Sequence, residues 1–424
     1  MRASRGSAEM RILLLTPMPP SPSGFAATPV LLHAHLAALR QRHEVTLVTV
    51  AGPAPEDWTA ADQLRASGLE IHAVRRVEAI RLARAVRWVR HTARWALGRL
   101  PMRAIWFYRP EVQRVIDDLC ATRDFDLVHA EDNAMGMYRL PRGVPSLFTE
   151  HEVRAPRAVN WRAWRREGLY RGLLDEMDWH RWRRYQRMTW SRFDVVQVLS
   201  ERDARVVTVI APELKARVRV NPFAVEVPSA MDPAREEENV IVFTGGFLHA
   251  PNVDAVRWLV FEIMPALRAR RPGVRLRVFG SDPRGALRGL EREDVSIRGW
   301  VPSIGAELER AALVIAPLRI GGGQRMKVFE AMAAGKAVVT TPRGACGLLD
   351  EGDAGPPLAI GSTAEEIATL AADLLADLER RHALGARARA AILANHDIRA
   401  YDRRIEAAYQ WLLERRRGAA SGSA

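Results

Sequence analysis

Short apolar runs and longer helical patterns alternate along the chain. Runs of strand length occur at Arg11–Thr16, Glu44–Val50, Leu69–Val74, Asp126–Ala130, Pro145–Thr149 and Asp194–Leu199. Stretches with apolar residues at helical spacing separate them, and this alternation predicts a parallel sheet covered by helices. Residues 229–239 read as a linker, with Pro233 and the charged run Arg235–Glu238. A second series follows, with strands expected at Val240–Gly245, Val274–Gly280, Val295–Gly299, Leu313–Pro317 and Ala337–Thr341. Helical patterns over Val253–Arg270 and Thr363–Leu384 fill its gaps, and an amphipathic helix over Asp397–Arg416 ends in a basic tail. The expected fold class is α/β, with two doubly wound Rossmann-like domains facing a cleft. The expected layout is a disordered leader at 1–10, a first domain at 11–228, the linker at 229–239 and a second domain at 240–390. A crossover helix at 391–416 and a disordered tail at 417–424 complete it.

Doubly wound sheets bind ligands beyond the carboxyl ends of their strands, beside helix N-termini. The first strand-to-helix junction, Thr16 to Val30, carries five prolines and Gly24 but no G-x-G-x-x-G, and no Walker loop occurs. Those omissions weigh against a dinucleotide-dependent dehydrogenase and a P-loop NTPase. Gly24 would let this first loop approach a substrate; a glycine serving an ordinary turn is the bland alternative.

Composition narrows the classes further. Apolar residues make up 48% and charged residues 27% of the 424 positions, an ordinary globular balance. Two cysteines, Cys120 and Cys346, exclude a disulfide framework or a cysteine zinc site. No apolar run approaches the ~18 residues of a membrane span, and no secretory signal is visible, so a cytoplasmic location is expected. The formal net charge is +13, and only Lys215, Lys327 and Lys336 among the 63 basic residues are lysines. A lysine kept where arginine is the default draws attention to its compact charge.

The basic residues are unevenly spread. Val74–Arg109 holds ten arginines and a single acid, Glu78. Over Ile80–Leu100, residues Leu82, Val86, Val89, Ala93, Leu97 and Leu100 form one stripe at ~100° per residue, with arginines and Trp88 and Trp95 on the rest. Such a helix suits the anionic inner face of a membrane, or equally a core contact with a solvated basic side. Tryptophans 161, 164, 179, 182 and 190 would form a membrane lip or an aromatic acceptor groove. No helix-turn-helix, zinc-finger or RNA-recognition signature accompanies the charge, so nucleic acid is not an expected partner.

One block carries the chemistry: Ala316-Pro-Leu-Arg-Ile-Gly-Gly-Gly-Gln-Arg-Met-Lys-Val-Phe-Glu-Ala-Met-Ala-Ala-Gly335. It reads as strand, glycine loop, helix and glycine stop. Glycines allow close backbone approach to a ligand, and the helix directs free N–H groups and the positive end of its dipole at the loop. Arg325 and Lys327 add cations where a helix start disfavours them, which points to a bound anion such as a diphosphate. Glu330, further into the helix, could accept hydrogen bonds from a ribose diol. A tight helix start with surface charges is the plainer alternative.

The block resembles the donor-site motif of retaining glycosyltransferases of family 4, which have the GT-B fold. Gly245-Gly-Phe-Leu-His-Ala-Pro-Asn-Val-Asp-Ala255 resembles the glycine loop that opens that family's second domain. Arg298-Gly-Trp-Val-Pro302 resembles its base-holding loop, and Val338-Val-Thr-Thr-Pro-Arg-Gly344 the strand and turn after its donor helix. Asn221-Pro-Phe matches the family's asparagine turn before the linker. The likeness is strong over 239–350 and weaker over 10–228.

The resemblance implies that Arg325 and Lys327 bind the donor diphosphate and Glu330 the ribose hydroxyls. Gly322, Gly323 and Gln324 would face the sugar and phosphates, Gly246 would line the donor pocket, and Trp300 and Val301 would hold the base. His151, in Thr149-Glu-His-Glu152, resembles the first-domain histidine near the reacting sugar; Glu131 and Glu150 are candidate acceptor contacts. The implied reaction is retaining and metal-independent, with no cofactor beyond the nucleoside-diphosphate-sugar donor. The implied acceptor is a glycan or lipid-linked molecule in cell-surface polysaccharide synthesis. Two departures stand out: Gly322 replaces a glutamate many members have, and Gly246–Asp254 lacks their arginine and lysine. Asp124-Phe-Asp126 matches the D-x-D of metal-dependent transferases but sits where a turn is expected. A GT-B sugar-nucleotide epimerase and a non-catalytic basic nucleic-acid binder are the competing readings.

Overall fold

The computed structural model describes residues 9–22, 27–53, 55–76, 81–154, 169–228, 232–282, 284–301, 303–320, 325–345, 348 and 357–421. Gly24, Gly322, Gly323, Gln324, Trp161 and Trp164 lie outside them. The chain divides into two compact units, the first formed by residues 1–22, 32–222 and 402–424, the second by 23–31 and 223–401.

The first unit is built on a seven-stranded sheet of β1 (Arg11–Thr16), β2 (Glu44–Ala51), β3 (Glu70–Arg75), β4 (Leu127–Glu131), β5 (Ser146–Glu150), β6 (Val195–Val198) and β7 (Val218–Val220). The order is β3-β2-β1-β4-β5-β6-β7 with every pairing parallel. Strands β4, β5 and β6 are buried along their whole length, as expected of strands covered on both faces. Leu13, Val48, Val128, Phe148 and Val196 lie in a core cluster closed by Val112 and Ile116 of helix Pro110–Thr122. The order reverses direction between β1 and β4, so the ligand crevice of this sheet opens at their carboxyl ends.

The second unit repeats the plan with β8 (Val240–Thr244), β9 (Arg275–Phe279), β10 (Val295–Gly299), β11 (Leu313–Ala316), β12 (Val338–Thr340) and β13 (Ala359–Ile360), in the order β10-β9-β8-β11-β12-β13. All pairs are parallel, and the reversal falls between β8 and β11. Helices Ala250–Trp258, Met264–Arg270 and Ala364–Ala376 supply Val256, Leu267 and Ala371 to its core. A π-helical turn, Leu259–Ile263, joins the first two where one helix was expected. Pro265, one position beyond the start of the following helix, cannot donate a backbone hydrogen bond. The helix expected over Thr363–Leu384 is broken at Asp377, whose carboxylate accepts from the Arg380 N–H and starts helix Leu378–Asn395.

Helix Ile398–Ser421 returns the chain to the first unit, where three of its side chains meet histidines. Asp402 is 2.7 Å from His35, Glu406 is 2.8 Å from His43, and the Tyr409 hydroxyl is 2.6 Å from His129.

Trp182 and Trp190 settle differently from expectation, and the basic helix takes one of its two expected arrangements. Trp182 and Trp190 are core residues rather than an aromatic groove, and the Trp190 ring N–H donates to Glu150 at 3.0 Å. In helix Arg81–Leu97 the described part of the apolar stripe points outward, with Val89 60% and Leu97 91% exposed. Trp95, from the arginine side, is the buried residue, donating to Asp178 at 2.8 Å.

Candidate functional site

In the second unit the chemistry gathers at the point where the strand order reverses. Helix Met326–Ala333 follows β11 and presents its start at that strand's carboxyl side. Val328, Phe329, Ala331 and Met332 bury the inner face of this helix, and Gly335 ends it with φ 71°. That packing leaves Arg325, Lys327 and Glu330 at the crevice end. Arg325 occupies the position just before the helix and is buried.

Lys327 reaches across to the loop after β8. Its ammonium donates to Asn252 Oδ1 at 2.7 Å and stands 5.1 Å from the centre of the Phe243 ring. Asn252 in turn donates to the Gly246 carbonyl at 2.8 Å. A side chain at 245 would be impossible here, because a Cβ would lie 2.7 Å from Asn252 Nδ2 and 3.2 Å from the Lys327 ammonium. Gly280 supports the same loop from β9 with φ 139°; a Cβ there would fall 1.8 Å from the Gly245 carbonyl oxygen. The glycines are thus required by the loop's own packing.

The electrostatics of this cluster are unbalanced. Burial pushes Lys327 down to about 8, with the nearby Arg325 guanidinium adding to the effect and Glu330 opposing it. Burial also pushes Glu330 up to about 7 despite Lys327. Among the described residues Glu330 has no hydrogen-bond partner, so its carboxyl is available to a ligand. His249 is held below its ordinary value by burial and by Lys327 and Arg325. Buried Arg325, the enclosed Lys327 and the exposed His249 therefore stand close together, an arrangement that a polyanion would stabilise. His249 and Asn252 were overlooked in the sequence; their polarity inside the quoted 245–255 loop was the available signal. Trp300, 56% exposed, and the half-buried Val301 lie beyond the edge strand β10, two strands from β8.

The first unit holds a second cluster, at the carboxyl ends of β4 and β5. His151 Nε2 lies 2.7 Å from Glu131 Oε2, and His129 Nε2 lies 3.0 Å from Glu131 Oε1. The Glu131 side chain is wholly buried, and one histidine sits on each of its oxygens. A carboxylate so enclosed has no open side for an acceptor. Burial would raise its pKa, but the two imidazoles together hold it below the usual carboxylate range. Burial opposes the charging of His151, yet the Glu131 carboxylate, with Asp132 and Glu150 beyond it, holds that histidine above its ordinary value. His129, fully enclosed, is pushed down by burial.

Glu150 is buried beside these groups and is pushed up to about 8 by burial and by Asp132. It is committed to the Trp190 ring N–H, the Glu152 backbone N–H at 3.1 Å and Asn133 at 3.4 Å. Those partners make it a structural anchor for the β5 end. Donor atoms of His35, His129 and Glu131 all lie within 4.8 Å of one another. Both ring nitrogens of His129 are nevertheless engaged, Nδ1 with Tyr409 and Nε2 with Thr149 at 2.7 Å and Glu131. That is the arrangement of a hydrogen-bonded network rather than a ligand set. Asp126 of the D-x-D pattern accepts from the Arg11 backbone N–H at 2.9 Å, so it fastens the amino ends of β4 and β1, the edge opposite the ligand crevice.

Residues 238–377 match the family Glycosyl transferases group 1. No curated protein matches the chain. Among solved structures it is similar to Anabaena HepE in complex with UDP and glucose, at 14% identity and a TM-score of 0.62, covering 95% of this chain and 99% of that one. A sucrose-phosphate synthase from Thermosynechococcus elongatus gives 15%, 0.63, 95% and 99% by the same measures. WaaG, a glycosyltransferase involved in lipopolysaccharide biosynthesis, gives 14%, 0.59, 94% and 98%. The chain shares its overall fold with these structures along nearly its whole length. The chain has the GT-B fold, and its residues 238–377 match the group 1 glycosyl transferase family.

Proposed function

We propose that the protein transfers a sugar, with retention and without a metal, from a nucleoside-diphosphate-sugar to a glycan or lipid-linked acceptor in cell-surface polysaccharide synthesis. The observation that carries this reading is the crowding of Arg325, Lys327 and His249 at the start of helix Met326–Ala333. As the sugar–phosphate bond breaks, negative charge grows on the leaving oxygen. Cations and helix N–H groups already in place stabilise that charge without reorganising, which is commonly the largest catalytic term. A protein that supplies its own cations has no need of a metal for this purpose. Glu330, whose carboxyl has no hydrogen-bond partner among the described residues, would receive the ribose hydroxyls.

The HepE structures hold UDP with glucose, UDP alone and UDP-glucose, so a uridine nucleotide is the first donor to test. The outward apolar residues Val89 and Leu97, set among exposed Arg90 and Arg94, support contact with an anionic membrane surface. No helix among the described residues is long and apolar enough to cross a membrane. The test is thermal stabilisation by a panel of nucleoside diphosphates and their sugars, read for the wild type and for Arg325→Ala. A saturable rise with at least one of them, lost in the variant, is expected. No rise with any compound would remove the reading.

A further inference from the structure

We propose that Glu131 is the positioning residue for His151, fixing which ring nitrogen faces the reacting sugar, and that the terminal helix braces Glu131 through Tyr409 and His129. This rests on the reading of the protein as a sugar transferase with His151 at its first-unit site. The geometry forms a continuous chain. The Tyr409 hydroxyl meets His129 Nδ1 at 2.6 Å, His129 Nε2 bonds Thr149 Oγ1 at 2.7 Å and lies against Glu131 Oε1 at 3.0 Å, and Glu131 Oε2 meets His151 Nε2 at 2.7 Å.

Each link constrains the next. A carboxylate on an imidazole nitrogen keeps the proton on that nitrogen. His151 Nε2–H therefore donates to Glu131, and Nδ1 is presented elsewhere. Among the described residues Nδ1 has no hydrogen-bond partner, while the ring as a whole is 7% exposed. One nitrogen is thus locked to protein and the other is left for a ligand at the carboxyl end of β5. The same division of labour lets a buried aspartate hold the base of a serine hydrolase in one tautomer.

Glu131 is itself held from behind. Burial holds His129 below its ordinary value; with its proton on Nε2, between Thr149 Oγ1 at 2.7 Å and Glu131 Oε1 at 3.0 Å, its Nδ1 accepts from the Tyr409 hydroxyl. The charged and titratable groups that face His151 are Glu131 and, on neighbouring backbone, Asp132 and Glu150; His129 stands behind Glu131. Asp132 is occupied by the Ala134 N–H at 2.9 Å and Arg103 at 3.6 Å, and Glu150 by Trp190, so neither competes for His151 Nε2.

The test uses the full chain and two variants, Glu131→Gln and Tyr409→Phe. Ring-labelled histidine NMR, with the His151 signal assigned by His151→Gln, reads tautomer and titration directly. In the wild type the His151 Nε2 proton is expected to persist through neutral pH. In Glu131→Gln the midpoint should fall and the tautomers mix, with kcat for donor hydrolysis or transfer down roughly 10–100-fold, less than the full ~10²–10⁴ of an acid–base group. UDP-dependent thermal stabilisation should be unchanged in that variant. Tyr409→Phe should move the midpoint in the same direction by a smaller amount, and it carries the test if Glu131→Gln does not fold. An unmoved His151 tautomer and midpoint in the folded variants would overturn the proposal. So would loss of wild-type turnover on chelation with recovery on added zinc, which would make the cluster a metal site. The NMR readings need no turnover, so absence of nucleotide binding would sink the transferase reading without deciding this one.

Discussion

The two units bury charge in opposite ways. At the β4 and β5 ends of the first unit, one carboxylate lies between two imidazoles, and the pair Glu131–His151 is driven toward its charged form: Glu131 below its usual range, His151 above. At the start of helix Met326–Ala333 in the second unit, burial dominates and the groups are driven toward neutrality: Lys327 down to about 8, Glu330 up to about 7. Equal burial therefore has unequal meaning. A buried ion pair driven toward its charged form completes the fold, whereas buried groups driven toward neutrality gain from an added counter-charge. Under the proposed function, the first cluster is machinery held rigid and the second receives the donor's charge.

The contrast breaks most easily at the cations. Arg325→Ala and Lys327→Ala are each expected to lower donor turnover by about 10²–10³-fold. Melting of the unliganded protein should fall less than donor turnover, because like charges crowd this corner. Initial-rate kinetics beside a thermal melt separate the two effects. The first cluster should respond in the reverse sense. Glu131→Gln leaves buried imidazoles without their counter-ion and should cost the fold about 3 kcal/mol, measured by denaturant unfolding. A Glu131→Gln protein as stable as the wild type would erase the distinction.

A smaller effect is expected at Glu330. Glu330→Gln keeps the shape but loses a charged acceptor for the ribose, so nucleotide affinity by calorimetry should fall about tenfold. An unchanged affinity would contradict the ribose contact.

The smallest effects are in the pH dependence. Lys327 titrates near 8 in the folded protein against 10.5 ordinarily, so between those values the native state binds fewer protons than the unfolded. This group's contribution to unliganded stability rises with pH through that window. Glu330, near 7 against 4.5, has the opposite sign: its contribution falls as pH rises from 4.5 to 7. A diphosphate prefers the charged lysine, so donor affinity should weaken above pH 8, by up to about tenfold per unit. Lys327→Arg, which cannot lose its charge there, should flatten that slope.

Much of the fold was legible because covered parallel strands are continuous apolar runs. Arg11–Thr16 and Val295–Gly299 coincide with β1 and β10, and the other expected strands agree with those observed to within a few residues. The two strands not foreseen, Val218–Val220 and Ala359–Ile360, are half-buried edge strands of three and two residues, too short to leave a pattern. In the second unit helix Met326–Ala333 was legible because glycines and cations violate ordinary helix-start preference in one short stretch. In the first unit the cluster was not, since Glu131, His129 and Tyr409 are brought together only by strand pairing and by a helix 280 residues further on. Spacing carries no trace of such a contact. Trp182 and Trp190 misled for a related reason: their arginine neighbours suggested a surface, while the helix turned those rings inward.

The helix beginning at Ile398 adds a consequence for biogenesis. His35, His43 and His129 are translated early, but Asp402, Glu406 and Tyr409 leave the ribosome only after the entire second unit. N-terminal domains ordinarily fold first during synthesis. Here the first unit waits without the three contacts that the terminal helix supplies to its imidazoles, so its maturation ends after translation, and nascent chains stalled before residue 400 should engage chaperones for longer than the completed protein.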